Sequence, residues 1–255
     1  MKVHDAGMTG GQSMLARGAA LLHAFGAGED EVPLATLALR TGLPKPTVHR
    51  LLGQLAELGL VERADGGGYR LGLALFELGQ RVPYRWLRER ALPYLEEMYE
   101  ATHENVHLAV VEGADSLFLE KLTGHRSMRI SSHAGGRLPA YCTATGKALL
   151  AYGPEGGLAT VLHRGLARRT PRTIVLPRLL QQDLIRTRAR GYAVNWEEAE
   201  VGVSAIAAPV FGLAGVPVAA ISVTGATHGL RLDRIAPVVC AAARALSYQL
   251  ARAQA

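Results

Sequence analysis

The segment TGLPKPTVHRLLGQLAELGLVER, Thr41 to Arg63, constrains the fold more than any other stretch of the chain. Pro44 and Pro46 stand at the head of a run whose apolar positions Val48, Leu51, Leu52, Leu55 and Leu58 follow the i, i+3, i+4, i+7, i+10 spacing of one buried helical stripe. Proline breaks a helix interior because it lacks an N–H and crowds the preceding turn. In a first turn it costs nothing, since the first four N–H groups have no acceptor within the helix and the proline φ is already helical. The two prolines therefore predict a sharply defined helix start. Thr47, Arg50 and Gln54 fall on a different face from the stripe. A fixed entry suits a helix whose first turn must meet a partner at set geometry, as a reading helix does in a DNA major groove.

The flanking sequence completes a unit around it. Upstream, SMLARGAALLHAF offers Ser13 as an N-cap and brings Leu15, Ala19, Leu22 and Phe25 near one face, and PLATLALRTG predicts a short helix with Leu34, Leu37 and Ala38 inside and Gly42 as its stop. Downstream, LVERADGGGYRLG reads as two short strands about an Asp-Gly-Gly-Gly turn. Three helices followed by a hairpin make a winged helix-turn-helix.

PLATLALRTGLPKPTVHRLLGQLAELGLVER followed by YRLG resembles the DNA-binding domain of the IclR family of bacterial transcriptional regulators, over nearly all of residues 13–79. The resemblance implies that Lys45, Thr47, His49 and Arg50 approach operator DNA from the start of the third helix, with Gln54 further along and Tyr69 and Arg70 in the wing. Lys45 and Thr47 suit phosphate oxygens, whereas Arg50 and Gln54 can form bidentate contacts with base edges. Pro46 departs from the family, which commonly has Ser there. The plain alternative is a set of solvated polar residues on a packing helix.

Charge does not decide between these readings. The chain carries a formal net charge of +6, yet residues 1–78 hold seven basic residues against eight acidic ones, and the excess lies in RVPYRWLRER and between Arg164 and Arg190. A DNA assignment must rest on where a few bases sit. The later arginines read first as a solvated helix face, with contact to a partner or to DNA as the alternative. No apolar run approaches the roughly 20 residues needed to span a bilayer, which points away from a membrane partner. MKVHDAGMTGGQ lacks an apolar signal region, and residues 1–12 are expected to be a loose tail. Cys142 and Cys240 stand far apart, without metal-ligand spacing around either, so a reducing cytoplasm with no metal and no cofactor is expected.

After the wing, LALFELGQRVPYRWLRERALPYLEEMYEATHE predicts a helix broken near Pro83 and a second from about Tyr84 that Pro93 ends or kinks, giving a linker helix over 80–95. From 96 to 255 strands predominate: VHLAVVEG, SLFLEKL, MRISSH, GVSAIAAPVF and PVAAISVTG, with helices from TATGKALLAY, through a basic stretch, and in IAPVVCAAARALSYQLARA. The class is α+β. GGRLPAYCTATGKALLA, GYAVNWEEAEVGVSAIAAPV and AAISVTG resemble the effector-binding domain of the same family, a GAF-like antiparallel sheet with flanking helices. The resemblance implies a homodimer or homotetramer.

Local chemistry suggests where an effector would sit. YCTATGKA puts small residues at a loop-to-helix junction with free N–H groups and a favourable dipole, which suits a carboxylate. Ser222 and Thr224, two apart on one strand, offer hydroxyls to a common space. Carried over from the family, the pocket comprises Ala144, Thr145, Gly146, Asn195, Glu198, Ala205, Ser222 and Thr224, with Met128, Ile130 and Leu138 as apolar wall. Alternatively the two hydroxyls satisfy neighbouring backbone groups in a core.

Three other motifs carry less. HENVH, His103 to His107, matches a zinc-hydrolase signature that works only on a helix, whereas a strand is expected from Val106. TATGKA resembles the end of a phosphate loop, but Tyr141 and Ala148 stand where Gly and Ser or Thr are needed. Cys142 reads as a small buried apolar residue, and His125 and Arg126 as turn residues. A regulator with no catalytic residues is expected, and a metabolite-binding enzyme that docks through a helix-turn-helix is the rival.

Overall fold

The computed structural model describes residues 13–125, 130–213 and 215–253. The chain divides between Arg85 and Trp86 into two compact units. In the first, α1 (Met14–His23) starts where the Ser13 hydroxyl accepts the Ala16 N–H at 3.2 Å. Helix α2 (Leu34–Thr41) stops at Gly42, whose φ of 68° is the left-handed conformation that a residue without Cβ adopts cheaply. Helix α3 (Lys45–Glu57) opens with Pro44 as its cap residue and Pro46 inside its first turn, and the Val48 N–H makes the first helical bond, to the Pro44 carbonyl.

Val48, Leu51, Leu52 and Leu55 of α3 join Leu21, Val32, Leu37, Val61 and Tyr69 in one core. Burying such a Leu contributes roughly 1.5–3 kcal/mol. Three residues assigned to apolar faces from their spacing, Leu15, Ala19 and Leu58, are exposed outside it. Leu58 is 67% exposed because α3 ends at Glu57 and the chain turns at Gly59, which breaks the helical phase, and Leu15 is 84% exposed. The hairpin pairs β1 (Val61–Arg63) with β2 (Tyr69–Leu71), and Val32 adds an isolated antiparallel bridge to Tyr69. Helix α4 (Leu73–Gln80) follows.

The second unit begins in α5 (Arg85–Thr102), which runs through Pro93 rather than ending there. Among the described residues its sheet has the order β5 (Arg137–Pro139), β4 (Asp115–Leu122), β3 (Asn105–Glu112), β8 (Pro217–Ala226), β7 (Val203–Phe211), β6 (Ala193–Trp196), with every neighbouring pair antiparallel. The strand expected in MRISSH is absent from its described part, Ile130 to His133, and β5 and β6 were not foreseen. Both are edge strands of three and four residues, too short for a period-2 pattern to register. The expected linker span 80–95 covers the end of α4, the turn after it and the first half of α5.

Strand alternation gives the sheet two unlike faces. Val106, Leu108 and Val110 of β3, Ile206 and Val210 of β7, and Ile221 and Val223 of β8 form the main core with α5 and α9 (Leu232–Ala253). Alternate residues face α6 (Ala144–Tyr152), with α7 (Glu155–Arg164) and α8 (Pro177–Arg190) next to it in the chain. There the packing is mostly alanine: Ala144 and Ala148 of α6 meet Ala193, Ala205, Ala207 and Ala220. Small side chains leave space on this face.

Candidate functional site

Two places carry chemistry. On α3, Lys45, His49, Arg50 and Gln54 are exposed and Thr47 is half-buried, so the polar face that the sequence separated from the stripe is open to solvent. Arg50 lies 3.4 Å from the Met14 sulfur, on the surface. In the wing Arg70 is exposed but holds Glu62 across the hairpin at 2.8 Å, an ion pair it must loosen to reach a phosphate. Tyr69 does not belong with these residues. Its side chain is buried in the domain core, where Tyr69 is also the bridge partner of Val32.

In the second unit a cavity of about 420 Å³, including its mouth, opens between the α6 face of the sheet and the start of α6. Two cross-strand rows run beneath it, and from them His107, Ser222, Thr224, Ala205 and Asn195 line it. One runs Lys121, His107, Ser222 and Ala207 across β4, β3, β8 and β7; the other runs Asn105, Thr224, Ala205 and Asn195 across β3, β8, β7 and β6. A β-bulge between Leu108 and Ala109 shifts the register so that Phe118, opposite Ala109, also reaches the cavity. Ile130 and Leu138 line it too, while Met128 lies outside the described residues.

Helix α6 brings its first turn to this cavity. Thr143 caps it, accepting the Gly146 N–H at 3.2 Å, and the N–H groups of Ala144 and Thr145, the first two helical residues, have no acceptor within the helix. The Thr145 hydroxyl is fixed by Ser116 at 2.7 Å. Of the residues carried over from the family, Ala144, Thr145, Asn195, Ala205, Ser222 and Thr224 converge on the cavity, and Gly146 and Glu198 do not. Gly146 is there for packing: a Cβ on it would come within 2.3 Å of the Ala140 carbonyl oxygen, so the glycine of TATGKA permits close approach and cradles no phosphate.

Glu198 turns the other way, toward Lys147. The Lys147 ammonium is buried within α6 and lies 2.5 Å from Glu198 and 2.8 Å from Asp183 of α8. Burial pushes the Glu198 carboxyl above its ordinary range against the pull of Lys147. Glu198 is still tied to the cavity through its backbone, whose N–H donates to the Asn195 side chain at 2.8 Å.

Sequence reasoning missed His107, Phe118, Ser131, Ser132, Thr143, Ala199, Glu200 and Val203. His107 is the main omission. It is buried, with Nε2 2.9 Å from the Ser132 hydroxyl, and burial together with the charge of Lys121 pushes its pKa down to about 3. One signal was available: Asn105 and His107 alternate with Val106, Leu108 and Val110, a polar face on a strand that is apolar on the other. HENVH drew attention to the wrong partner, for His103 follows the end of α5 with φ 55° while His107 lies inside β3, so no single helix carries both. Cys142 is buried, and burial raises its thiol to about 12.

The IclR helix-turn-helix family model matches residues 14–65, and the model of the bacterial transcriptional regulator IclR C-terminal domain matches residues 82–249. The chain belongs to the IclR family. This IclR regulator is 35% identical over 245 residues to the Pca regulon regulatory protein of Pseudomonas putida, covering 92% of this chain and 83% of that one. It is 34% identical to the transcriptional repressor IclR of Escherichia coli, covering 91% and 87%. Among solved structures it resembles an IclR homologue from Microbacterium hydrocarbonoxydans complexed with 4-hydroxybenzoate, with a TM-score of 0.83, 31% identity and coverage of 93% and 99%. The chain is therefore a transcriptional regulator with a DNA-binding helix-turn-helix domain and a C-terminal effector domain. None of the helices in its described residues is long and apolar enough to cross a membrane.

Proposed function

We propose that this cytoplasmic regulator binds a palindromic operator as a homodimer or homotetramer and that a small carboxylate, preferably an aromatic acid, binds in the C-terminal cavity and changes its DNA affinity. The observation that carries the reading is the α6 start: the N–H groups of Ala144 and Thr145 and the positive end of the helix dipole stand at a cavity with apolar walls. The 4-hydroxybenzoate bound by the Microbacterium relative supports the aromatic acid. Asn195, Ser222 and Thr224 would supply further hydrogen bonds, and Ile130, Leu138 and Ala205 the apolar wall.

On the DNA side, Lys45 and Thr47 would hold phosphates, Arg50 and Gln54 would read base edges, and His49 and Arg70 would make flanking contacts. Dimerisation is supported by the apolar Leu73, Phe76, Leu78 and Val82, all exposed on and just after α4. Two half-sites multiply a modest affinity, and an effector changes DNA binding only as far as it prefers one arrangement of the assembly over another.

The enzyme rival has one observation in its favour, the 2.9 Å contact between Ser132 and His107, which resembles a nucleophile and base. Against it, the other ring nitrogen faces the Ser222 and Thr224 hydroxyls rather than a carboxylate, and an imidazole that protonates only near pH 3 is a weak base at neutrality. A gel shift with the DNA upstream of the protein's own gene, at two salt concentrations and with and without benzoate and 4-hydroxybenzoate, tests the reading. Specific binding altered by an acid is the expected result. Equal affinity for scrambled DNA, or hydrolysis of a nitrophenyl ester that is lost in Ser132→Ala, would favour the rival.

A further inference from the structure

We infer that His107 is the specificity-determining residue of the cavity: together with the hydroxyls of Ser222 and Thr224 it reads an uncharged hydroxyl on an effector with one carboxylate, and the site turns away a second carboxylate. The inference rests on the proposal that this cavity is the effector site.

Hydrogen-bonding capacity is the first support. His107 sits at the centre of the floor, with its ring centroid 5.1 Å from that of Phe118 and Nε2 engaged by Ser132. Nδ1 lies 3.5 Å from both the Ser222 and the Thr224 hydroxyl oxygens, the outer limit of a hydrogen bond, so neither contact uses its capacity well. An imidazole with one N–H and two hydroxyls forms a set that both donates and accepts. A ligand hydroxyl, itself donor and acceptor, matches that set; a carboxylate only accepts and an ammonium only donates.

Charge points the same way. Among the described lining residues none is a lysine or arginine, and Glu200 adds a carboxylate near the mouth, where it accepts from the Ser131 N–H and hydroxyl. Lys121 shares a cross-strand row with His107 but gives its ammonium to the Ser132 carbonyl at 2.8 Å. One carboxylate has the start of α6 to stabilise it. Among the described residues a second would meet only the charge of Lys121, which the Glu200 carboxylate already offsets, so burying it there is costly. Burial also keeps the imidazole uncharged at neutral pH, so His107 does not supply the missing cation.

Calorimetric titration of the full chain with two matched sets tests the assignment: benzoate, 4-hydroxybenzoate and terephthalate, and propionate, lactate and malonate. In at least one set the hydroxy acid should bind roughly tenfold tighter than its parent, the worth of one well-formed hydrogen bond. The dicarboxylate should bind more weakly than either. In His107→Phe the hydroxyl advantage should vanish while the parent acid still binds. Equal affinity of parent and hydroxy acid for wild type, a hydroxyl advantage that survives in His107→Phe, or preference for the dicarboxylate would overturn the role of His107 and leave the effector site standing. Failure of every monocarboxylate to bind wild type would remove the effector proposal itself, and this inference with it. Should His107→Phe lose its thermal transition, nitrogen resonances of histidine-labelled wild type decide. The hydroxy acid should shift the His107 Nδ1 signal within the neutral range; a move to the imidazolium range with the parent acid would sink the inference.

Discussion

The first unit keeps its polar chemistry exposed to water, and the second keeps its own buried. In the first, an apolar core of Leu21, Leu37, Val48 and Leu52 sits behind a face of Lys45, His49, Arg50 and Gln54 that is left in water. In the second, His107, Ser222, Thr224, Asn195 and Lys147 are all buried. The difference teaches what each polar residue costs. An exposed Arg on α3 is almost neutral to folding and is free to serve a partner, whereas every buried polar atom must be satisfied within the protein or by a ligand.

If that contrast is right, the largest effect should follow from Lys147→Ala, which leaves the Glu198 and Asp183 carboxylates facing each other in the interior. Denaturant unfolding should then show a loss of about 3–5 kcal/mol, and a loss below about 1 kcal/mol would mean that water or relaxation compensates the charges. Next is an acid effect. His107 has a folded pKa of about 3 against an ordinary 6.5, so below pH 6.5 the unfolded chain takes up a proton that the folded chain refuses. The stability tied to this residue is full above about pH 6.5 and declines as pH falls toward 3, by roughly 2–3 kcal/mol at pH 4.5. His107→Phe should flatten that part of the curve, and an unchanged acid limb would remove His107 as its source.

Smaller effects are expected on the exposed side. Arg50→Ala should cost about 1–3 kcal/mol of operator affinity, read by gel shift, with stability within about 0.5 kcal/mol of wild type. A variant that unfolds, or that binds its operator unchanged, would erase the distinction between the two units. Ser13→Ala should cost about 0.5–1 kcal/mol through the lost cap on α1, measured by thermal unfolding.

How well each site could be read from sequence follows the same contrast. Helix period, prolines and caps are local, so α1, α2, α3 and the hairpin were legible together with the exposed polar face of α3. Tyr69 was misassigned because its inward direction depends on the bridge to Val32, 37 positions away. Ala144, Thr145, Asn195, Ala205, Ser222 and Thr224 share one cavity; Asn195 and Ala205 came from resemblance alone, whereas strand alternation also pointed to Ser222 and Thr224 and the loop-to-helix junction to the start of α6. His107 and Ser132 were not found, since their partners lie on β8 and in a loop that no local pattern links to them.

By itself the sequence determined the helix starts, the turn glycines and the alternation that gives each strand an apolar and a polar face, because these depend on backbone sterics and on neighbours a few residues away. Tertiary structure alone decided which polar faces meet. The register that aligns His107 with Ser222, the bulge that turns Phe118 inward, and the approach of α6 that pairs Lys147 with Glu198 all join residues far apart in the chain. Such pairings are fixed by the packing of whole elements, and that is where the cavity acquires its chemistry.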